Sequence, residues 1–295
     1  MDEPQVVAPP ALREVRERIE PVLEAFLSER ERRMEALDPR SARLVREIRQ
    51  LVDAGGKRIR PAFCYWGHRA AGGPAGPSID RAAAAMELFH TFALIHDDVM
   101  DESPQRRGAP TVHVRMAEEG PAAALGASER ERFGRSGAIL VGDLAAVLAD
   151  ELLVDSGFGS GRLVQALRRY AQMRIEVAAG QFLDIADPPR DRASALRVAA
   201  LKTGAYTVEG PLHVGALLAG GSPPVLAALT AYARPLGEAF QLRDDVLDRG
   251  EGSVPGASVA TVDGLIDRAA VALATPCLEP QAVAALRSLA EALRL

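Results

Sequence analysis

An aspartate-rich motif occurs twice in this chain, each time after an apolar helical segment. The first copy is DDVMD at residues 97–101, and the second is DDVLD at residues 244–248. Residues four apart lie one turn apart on the same face of an α-helix, so Asp97 and Asp101 project together. Two carboxylates at this spacing suit a hard cation such as Mg²⁺, which also binds phosphate. One copy alone would be weak evidence, because acidic pairs are common at helix ends. Two copies predict metal ions held against a diphosphate.

Basic side chains that could bind phosphate occur in separate places. Arg106 and Arg107 follow the first motif in a loop rich in glycine and proline, and Lys57 lies in GGKRIRP at residues 55–61. Only two of the 35 basic side chains are lysines, Lys57 and Lys202. A primary ammonium is a compact point charge that can reach into a small polyanion. Together with the acidic motifs, these cations predict a site for two diphosphates, one bound through metal and one bound directly.

Helices must position these motifs, and the composition agrees with that. Alanine and leucine dominate and aromatic residues make up only 4% of the chain, which favours helices. The periodicity is helical, and no alternating run is long enough to predict a sheet. Glycine and proline mark breaks at residues 38–39, 72–77, 120–121, 157–161, 187–189, 220–224 and 249–256. We predict roughly ten helices in an all-α fold, a single-domain bundle over residues 11–295 after a disordered tail at residues 1–10.

Charge and cysteine content exclude several classes of protein. A net charge of −5 argues against a general nucleic-acid binder. Two cysteines, Cys64 and Cys277, make no disulfide framework and favour a cytoplasmic location. The N-terminus lacks the features of a signal peptide. The longest uncharged stretch, residues 210–233, is broken by GGSPP, so we expect two buried helices there and no membrane span.

Six runs of sequence resemble the motifs of trans-isoprenyl diphosphate synthases (polyprenyl synthetases). They are GGKRIRP, ELFHTFALIHDDVMDES, QRRGAPTVH, GQFLDI, KTGAYT and FQLRDDVLD, in that order between residues 55 and 248. The resemblance implies a bundle around a deep central cavity, usually in a homodimer. It also implies head-to-tail condensation of an allylic diphosphate (dimethylallyl, geranyl or farnesyl) with isopentenyl diphosphate.

The same resemblance implies a role for each motif residue. Mg²⁺, three ions per active site with substrate bound, would be held by Asp97, Asp98, Asp101, Asp244, Asp245 and Asp248. The allylic diphosphate would contact the catalytic residues Arg106, Lys202, Thr203 and Gln241. The diphosphate of isopentenyl diphosphate would contact Lys57, Arg60, His90 and Arg107. The departing diphosphate can take the proton itself, so no histidine base is required. His96 and His113 are expected to be structural or to support residues that contact the substrate.

The apolar face before the first motif should line the path of the product. At a rise of about 1.5 Å per residue, Phe92 lies about 7.5 Å and Phe89 about 12 Å below Asp97. Small Ala93 leaves a groove, and the two aromatics could form a floor. The alternative is that Phe89 and Phe92 are ordinary core residues. This pattern resembles short-chain synthases of the geranylgeranyl type, with a farnesyl product as the next possibility.

The resemblance weakens after Asp248. The family continues there with glycine–lysine pairs and a further aspartate, whereas residues 249–270 of this chain contain no lysine. We therefore expect a shortened C-terminus that lacks about two helices of ordinary length. This leaves open a non-catalytic or weakly active subunit of a heteromeric synthase. A class I terpene cyclase shares the first motif but does not need GGKRIRP. A dinuclear carboxylate bundle would need a second E-x-x-H pattern on another helix besides the one at Glu87 and His90, and the sequence contains none.

Overall fold

The chain folds almost entirely into helices. The computed structural model describes residues 8–118, 124–186, 194, 197–198, 200–248 and 258–294, with the backbone alone at residues 203, 244, 245, 247 and 248. The α-helices are α1 (Pro10–Leu37), α2 (Ala42–Asp53), α3 (Ile59–Ala70), α4 (Pro77–Met100), α5 (Val112–Glu118), α6 (Ala127–Val154), α7 (Ser160–Ala186), α8 (Gly210–Ala219), α9 (Pro223–Asp248), α10 (Val259–Ala272) and α11 (Pro280–Glu291). A π-helix spans Ala200–Glu209, and strands β1 (Gln105–Arg106) and β2 (Ala109–Pro110) form a short antiparallel pair. The prediction of an all-α fold is confirmed.

Contacts divide the chain into two compact units. Unit 1 consists of Met1–Glu17, Arg58–Ala83 and Ser156–Leu295, and unit 2 consists of Arg18–Lys57 and Ala84–Asp155. The prediction of one continuous helical domain stays a prediction. Each unit has its own buried apolar residues, so each can be described from its own contacts.

Unit 1 is built around the close packing of α3 on α8. Gly67 lies against the backbone of Leu212, and Gly215 lies against the backbone of Cys64, with no room for a Cβ at either glycine. The missing side chains let the two helix backbones meet directly. The π-helix packs on α7 and α9, and α10 packs on α9. The hydroxyl of Tyr232 in α9 donates to a carbonyl oxygen in α11 at 2.7 Å.

Unit 2 packs α2 and α5 against α6. Its apolar core includes Val45 and Ile48 of α2 and Val141 of α6, all fully buried. A buried ion pair joins Arg115 of α5 to Glu47 of α2, with Nε and Nη2 each 2.8 Å from Oε2 of the carboxylate. Because both side chains are largely removed from water, each requires the other as its partner.

The positions of several breaks agree with the sequence prediction. The uncharged stretch forms α8 and the start of α9, separated at Gly220, whose φ of 82° is left-handed. In the described part of the chain, no helix is both long and apolar enough to cross a membrane. Helices α10 and α11 follow Asp248. The breaks predicted at residues 120–121, 187–189 and 249–256 lie outside the described residues.

Candidate active site

The first aspartate motif lies at the C-terminal end of α4, in unit 2. The backbone N–H of Asp101 donates to the carbonyl oxygen of Asp97 at 2.9 Å, so the helical turn continues through the motif. Asp97 and Asp101 therefore share a face, as predicted. Asp97 is half-buried and Asp101 is exposed, whereas Asp98 is only 2% exposed. Two of the three carboxylates remain accessible to an ion, and the third belongs to the interior of the unit.

The buried carboxylate of Asp98 is paired with Arg106. Nε and Nη2 of Arg106 lie 2.8 Å and 2.7 Å from Oδ1 of Asp98, and Nη2 is 3.4 Å from Oδ2 of Asp97. Charge-assisted hydrogen bonds of this kind hold a guanidinium in a fixed orientation. Asp98 therefore anchors Arg106 next to the accessible carboxylate of Asp97. This contact was not part of the sequence prediction, which gave Asp98 to the metal.

The hairpin that carries Arg106 has a two-residue turn. Arg107 and Gly108 have φ values of 53° and 77°, and both lie between paired Arg106 and Ala109. Positive φ at both central residues is the geometry of a type I′ turn. Arg107 is exposed at this turn. Arg115 of α5 donates to the carbonyl oxygen of Pro110 in β2, so the buried ion pair of Arg115 with Glu47 of α2 also braces the hairpin.

The predicted chain-length residues lie on α4 before the motif. Phe89 is buried, and Phe92 and Ala93 are half-buried. The ring centroids of Phe89 and Phe92 lie 5.6 Å apart, within the usual range for interacting aromatic rings. His90 is half-buried on the same helix. The two phenylalanines therefore form one aromatic pair, and their role in limiting product length stays a prediction.

Lys202 lies in the π-helix of unit 1. Its Nζ donates to Oδ2 of Asp184, at the end of α7, at 2.7 Å. Gly180 of α7 packs against the backbone at Lys202, where a Cβ would lie 2.5 Å from the amide nitrogen. A π-helix is rare and often marks a functional site. The close approach at Gly180 holds this turn against α7 and places the Lys202 amine beside Asp184. The side chain of Thr203 lies outside the described residues.

Arg60 is also held by the π-helix. Its Nη2 donates to Oγ1 of Thr207 at 2.8 Å, and its guanidinium carbon lies 4.2 Å from the ring centroid of Tyr206. This geometry combines a hydrogen bond with a cation–π contact. Arg58, two residues earlier, is buried and has a left-handed φ of 52° just before α3. Lys57 is exposed at the end of the first of the two chain segments that make up unit 2.

Gln241 lines a cavity between α9 and the π-helix. The cavity has a volume of about 330 Å³, and Gly204 of the KTGAYT motif lines it as well. The structure therefore places two predicted motifs of unit 1 at one cavity. The second aspartate motif completes α9, which ends at Asp248. The side chains of Asp244, Asp245 and Asp248 lie outside the described residues.

The histidines expected to be structural each have a hydrogen-bond partner within unit 2. Nε2 of His96 lies 3.2 Å from the carbonyl oxygen of Ile139 in α6. Nδ1 of His113 lies 3.2 Å from the hydroxyl of Thr111. Burial lowers the pKa of His113, and the nearby carboxylate of Asp98 opposes that shift. Both contacts fit a structural role.

The described side chains contain no group of three or more aspartate, glutamate, histidine or cysteine residues placed to hold a metal ion. Mg²⁺ does not require such a group, because it keeps several waters and binds one or two carboxylates together with substrate phosphates. Asp97 and Asp101 supply oxygen donors of that kind on one accessible face. The donor set of the first motif is therefore compatible with magnesium.

The polyprenyl synthetase family model matches residues 41–253, a region that contains all six motifs. The chain belongs to the polyprenyl synthetase family. The fold agrees, because the solved geranylgeranyl pyrophosphate synthase from Corynebacterium glutamicum, complexed with isoprenyl diphosphate and magnesium, superposes with a TM-score of 0.84. That protein is 30% identical, and the match covers 97% of this chain and 98% of that one.

Two relatives in this polyprenyl synthetase family are 36% identical to the chain. One is the short chain isoprenyl diphosphate synthase of Methanothermobacter thermautotrophicus, matched over 70% of this chain and 58% of the relative. The other is the geranylgeranyl diphosphate synthase of Methanosarcina mazei, matched over 71% and 60%. The chain thus spans about six tenths of the length of the curated relatives it matches.

The sequence did not predict which side chains would contact the candidate site residues. Asp184 and Thr207 are hydrogen-bond partners of Lys202 and Arg60. Both occur inside runs that had carried the family resemblance, GQFLDI and KTGAYT. Their presence in those motifs was a usable signal, but the pairing itself could not be read from spacing.

Proposed function

We propose that this chain is a Mg²⁺-dependent trans-prenyltransferase. It condenses an allylic diphosphate (dimethylallyl, geranyl or farnesyl) head-to-tail with isopentenyl diphosphate and releases diphosphate. The observation that carries this proposal is the arrangement of Arg106, whose guanidinium is fixed by buried Asp98 beside the accessible Asp97. A cation next to metal-binding carboxylates fits a site for a leaving diphosphate.

The first aspartate motif would hold magnesium through Asp97 and Asp101, and the second through Asp244, Asp245 and Asp248, with three ions when substrate is bound. Bound magnesium would neutralise the charge that develops on the departing diphosphate. Arg106 and Lys202 would add fixed positive charge to the same oxygens. Thr203 and Gln241 would complete the contacts to that diphosphate.

The second diphosphate would be bound by side chains alone. Arg60, oriented by Thr207 and Tyr206, would contact the diphosphate of isopentenyl diphosphate. Lys57, His90 and Arg107 would do the same. Orienting both substrates in this way converts a bimolecular encounter into a reaction within one complex.

The bonds balance without a cofactor other than the metal. The carbon–oxygen bond of the allylic diphosphate breaks, and its electron pair leaves with the diphosphate. The double bond of isopentenyl diphosphate forms the new carbon–carbon bond. The proton lost from isopentenyl diphosphate goes to the departing diphosphate, so the residues of this chain need to bind and orient but not to act as a base.

A short-chain product, geranylgeranyl before farnesyl, is proposed from the aromatic pair of Phe89 and Phe92. A homodimer is proposed from the surface of α6. Leu140, Val147 and Val154 recur every seven residues on that helix and are each about half exposed, a spacing that suits burial against another helix. The cytoplasmic location suggested by the cysteine content stays a prediction.

The test is to incubate the purified chain with radiolabelled isopentenyl diphosphate, Mg²⁺ and each allylic primer in turn. Chromatography of the products should show label in prenyl diphosphates, and chelation of the metal should abolish it. Label that is incorporated only after a second protein is added would instead support the subunit hypothesis. A cyclic hydrocarbon made without isopentenyl diphosphate would support the cyclase. The relatives named above are prenyl diphosphate synthases, which favours the first outcome.

A further inference from the structure

Phe92 contacts a second ring besides that of Phe89. The centroid of the His96 imidazole lies 4.8 Å from the centroid of Phe92, with the rings 66° apart in an edge-to-face arrangement. Such aromatic contacts fix the orientation of both rings beyond simple burial. The orientation of the Phe92 ring therefore depends on where the imidazole lies.

The imidazole of His96 is in turn fixed by α6. Its Nε2 lies 3.2 Å from the carbonyl oxygen of Ile139 and 3.6 Å from a carboxylate oxygen of Asp143. Buried Gly142 lies between these two residues, and a Cβ there would lie less than 3.0 Å from Cδ2 and Nε2 of the ring. Real Cβ atoms essentially never come so close to another atom. His96 thus occupies space that exists only because residue 142 is a glycine.

We infer that His96 and Gly142 form a second layer of the wall that limits product length. This inference rests on the proposed prenyltransferase function. Phe92 is the layer that would meet the growing chain, His96 supports Phe92 from behind, and Gly142 sets how far back His96 can lie. His96 and Gly142 are positioning residues, since they act through Phe92.

Two substitutions should move product length in opposite directions. Gly142→Ala places a methyl group where the imidazole lies, so the ring must shift by about 1 Å to restore ordinary contact. That shift presses Phe92 forward and should shorten the product. His96→Gln keeps an amide donor for the carbonyl oxygen of Ile139 but removes the ring behind Phe92. Phe92 can then swing back, and the product should lengthen by about one isoprene unit.

The experiment compares the product distribution of wild type, Gly142→Ala, His96→Gln and the double variant, using radiolabelled isopentenyl diphosphate and chromatography. Gly137→Ala is the matched control. It makes the same change in the same helix, but there the new methyl group meets the mobile end of Met116. We expect Gly142→Ala to lower the ratio of longer to shorter product at least about fivefold, the lower range of what overpacking costs. Gly137→Ala should leave that ratio unchanged.

The double variant tests the order of the contacts. Glutamine can bend around a methyl group at residue 142, so the double variant should match His96→Gln alone. An unchanged product ratio in both single variants, with turnover retained, would overturn the inference. Loss of turnover in both variants, with melting temperatures unchanged from wild type, would also overturn the inference, because His96 would then act on the adjacent metal motif. If wild type itself made no prenyl product, the proposed function would fail instead.

Discussion

Asp97 and Asp98 are adjacent carboxylates, and the structure predicts opposite consequences for the same substitution. The side chain of Asp98 is 3% exposed and pairs with Arg106, whereas that of Asp97 is 27% exposed and 3.4 Å from the same guanidinium. Asp98→Asn removes the buried negative charge and weakens both hydrogen bonds to Arg106. Asp97→Asn removes an accessible carboxylate that the fold does not require.

The size of the stability effect follows from burial. Breaking a fully buried ion pair by removing one partner costs about 3–5 kcal/mol. The Arg106 side chain is 27% exposed, so water screens part of the loss and we expect Asp98→Asn to lower the free energy of unfolding by about 2 kcal/mol. Asp97→Asn should change it by less than about 0.5 kcal/mol. Turnover of Asp97→Asn should fall by at least about a hundredfold, because the variant lacks a carboxylate that would hold the metal at the leaving diphosphate.

Two measurements separate these effects. Urea unfolding followed by circular dichroism gives the stability of each variant, and incorporation of radiolabelled isopentenyl diphosphate gives its turnover. Both variants replace aspartate with asparagine, so each is the control for the other. Equal unfolding curves for the two variants would refute the anchoring role of Asp98. Full turnover in Asp97→Asn would refute its role in binding the metal.

Three further predictions follow from the contacts in the two units. Gly180→Ala should push the π-helix away from α7, displace Lys202 and so lower turnover. Gly161→Ala on the same helix is the control, because its new methyl group meets nothing within 4 Å and should leave turnover unchanged. Steady-state kinetics of both variants checks this. Phe92→Ala should lengthen the products, and chromatography that shows an unchanged distribution would exclude Phe92 from the floor. Burial lowers the pKa of His68 from its ordinary value of 6.5, so between the folded-state pKa and pH 6.5 the unfolded chain binds more protons than the folded chain. The free energy of unfolding should therefore fall as the pH is lowered through that window, and denaturation curves of His68→Gln should show a weaker dependence on pH.

Local sequence features predicted much of the fold. Helical periodicity and glycine breaks gave the all-α class, and the i, i+4 spacing of Asp97 and Asp101 gave their shared face. These predictions succeeded because a helix forms from contacts between near neighbours in sequence. Gly220 ends α8 for the same local reason, since its left-handed φ is accessible at little cost.

The partners of the predicted site residues could not be obtained in this way. Arg60 and Thr207 are 147 positions apart in sequence, and Lys202 meets Asp184 only because α7 and the π-helix pack together. The π-helix itself breaks the 3.6-residue period on which the prediction relied. The burial of Asp98 is a local feature, but DDVMD gives no sign of which carboxylate faces inward. Packing decided each of these points.

Three residues of the sequence motifs have a left-handed backbone conformation, which is unfavourable for residues other than glycine. Outside glycine, φ is positive in the described residues only at Arg58, Glu102 and Arg107, and each lies within one of the six motif runs. Such conformations cost about 1–3 kcal/mol and persist only where surrounding structure enforces them. Burial of Arg58 and the hairpin register around Arg107 supply that enforcement. Glycine would relieve the strain at either position but would remove a guanidinium. The chain therefore keeps an arginine at two left-handed positions where glycine would adopt the same backbone at little cost.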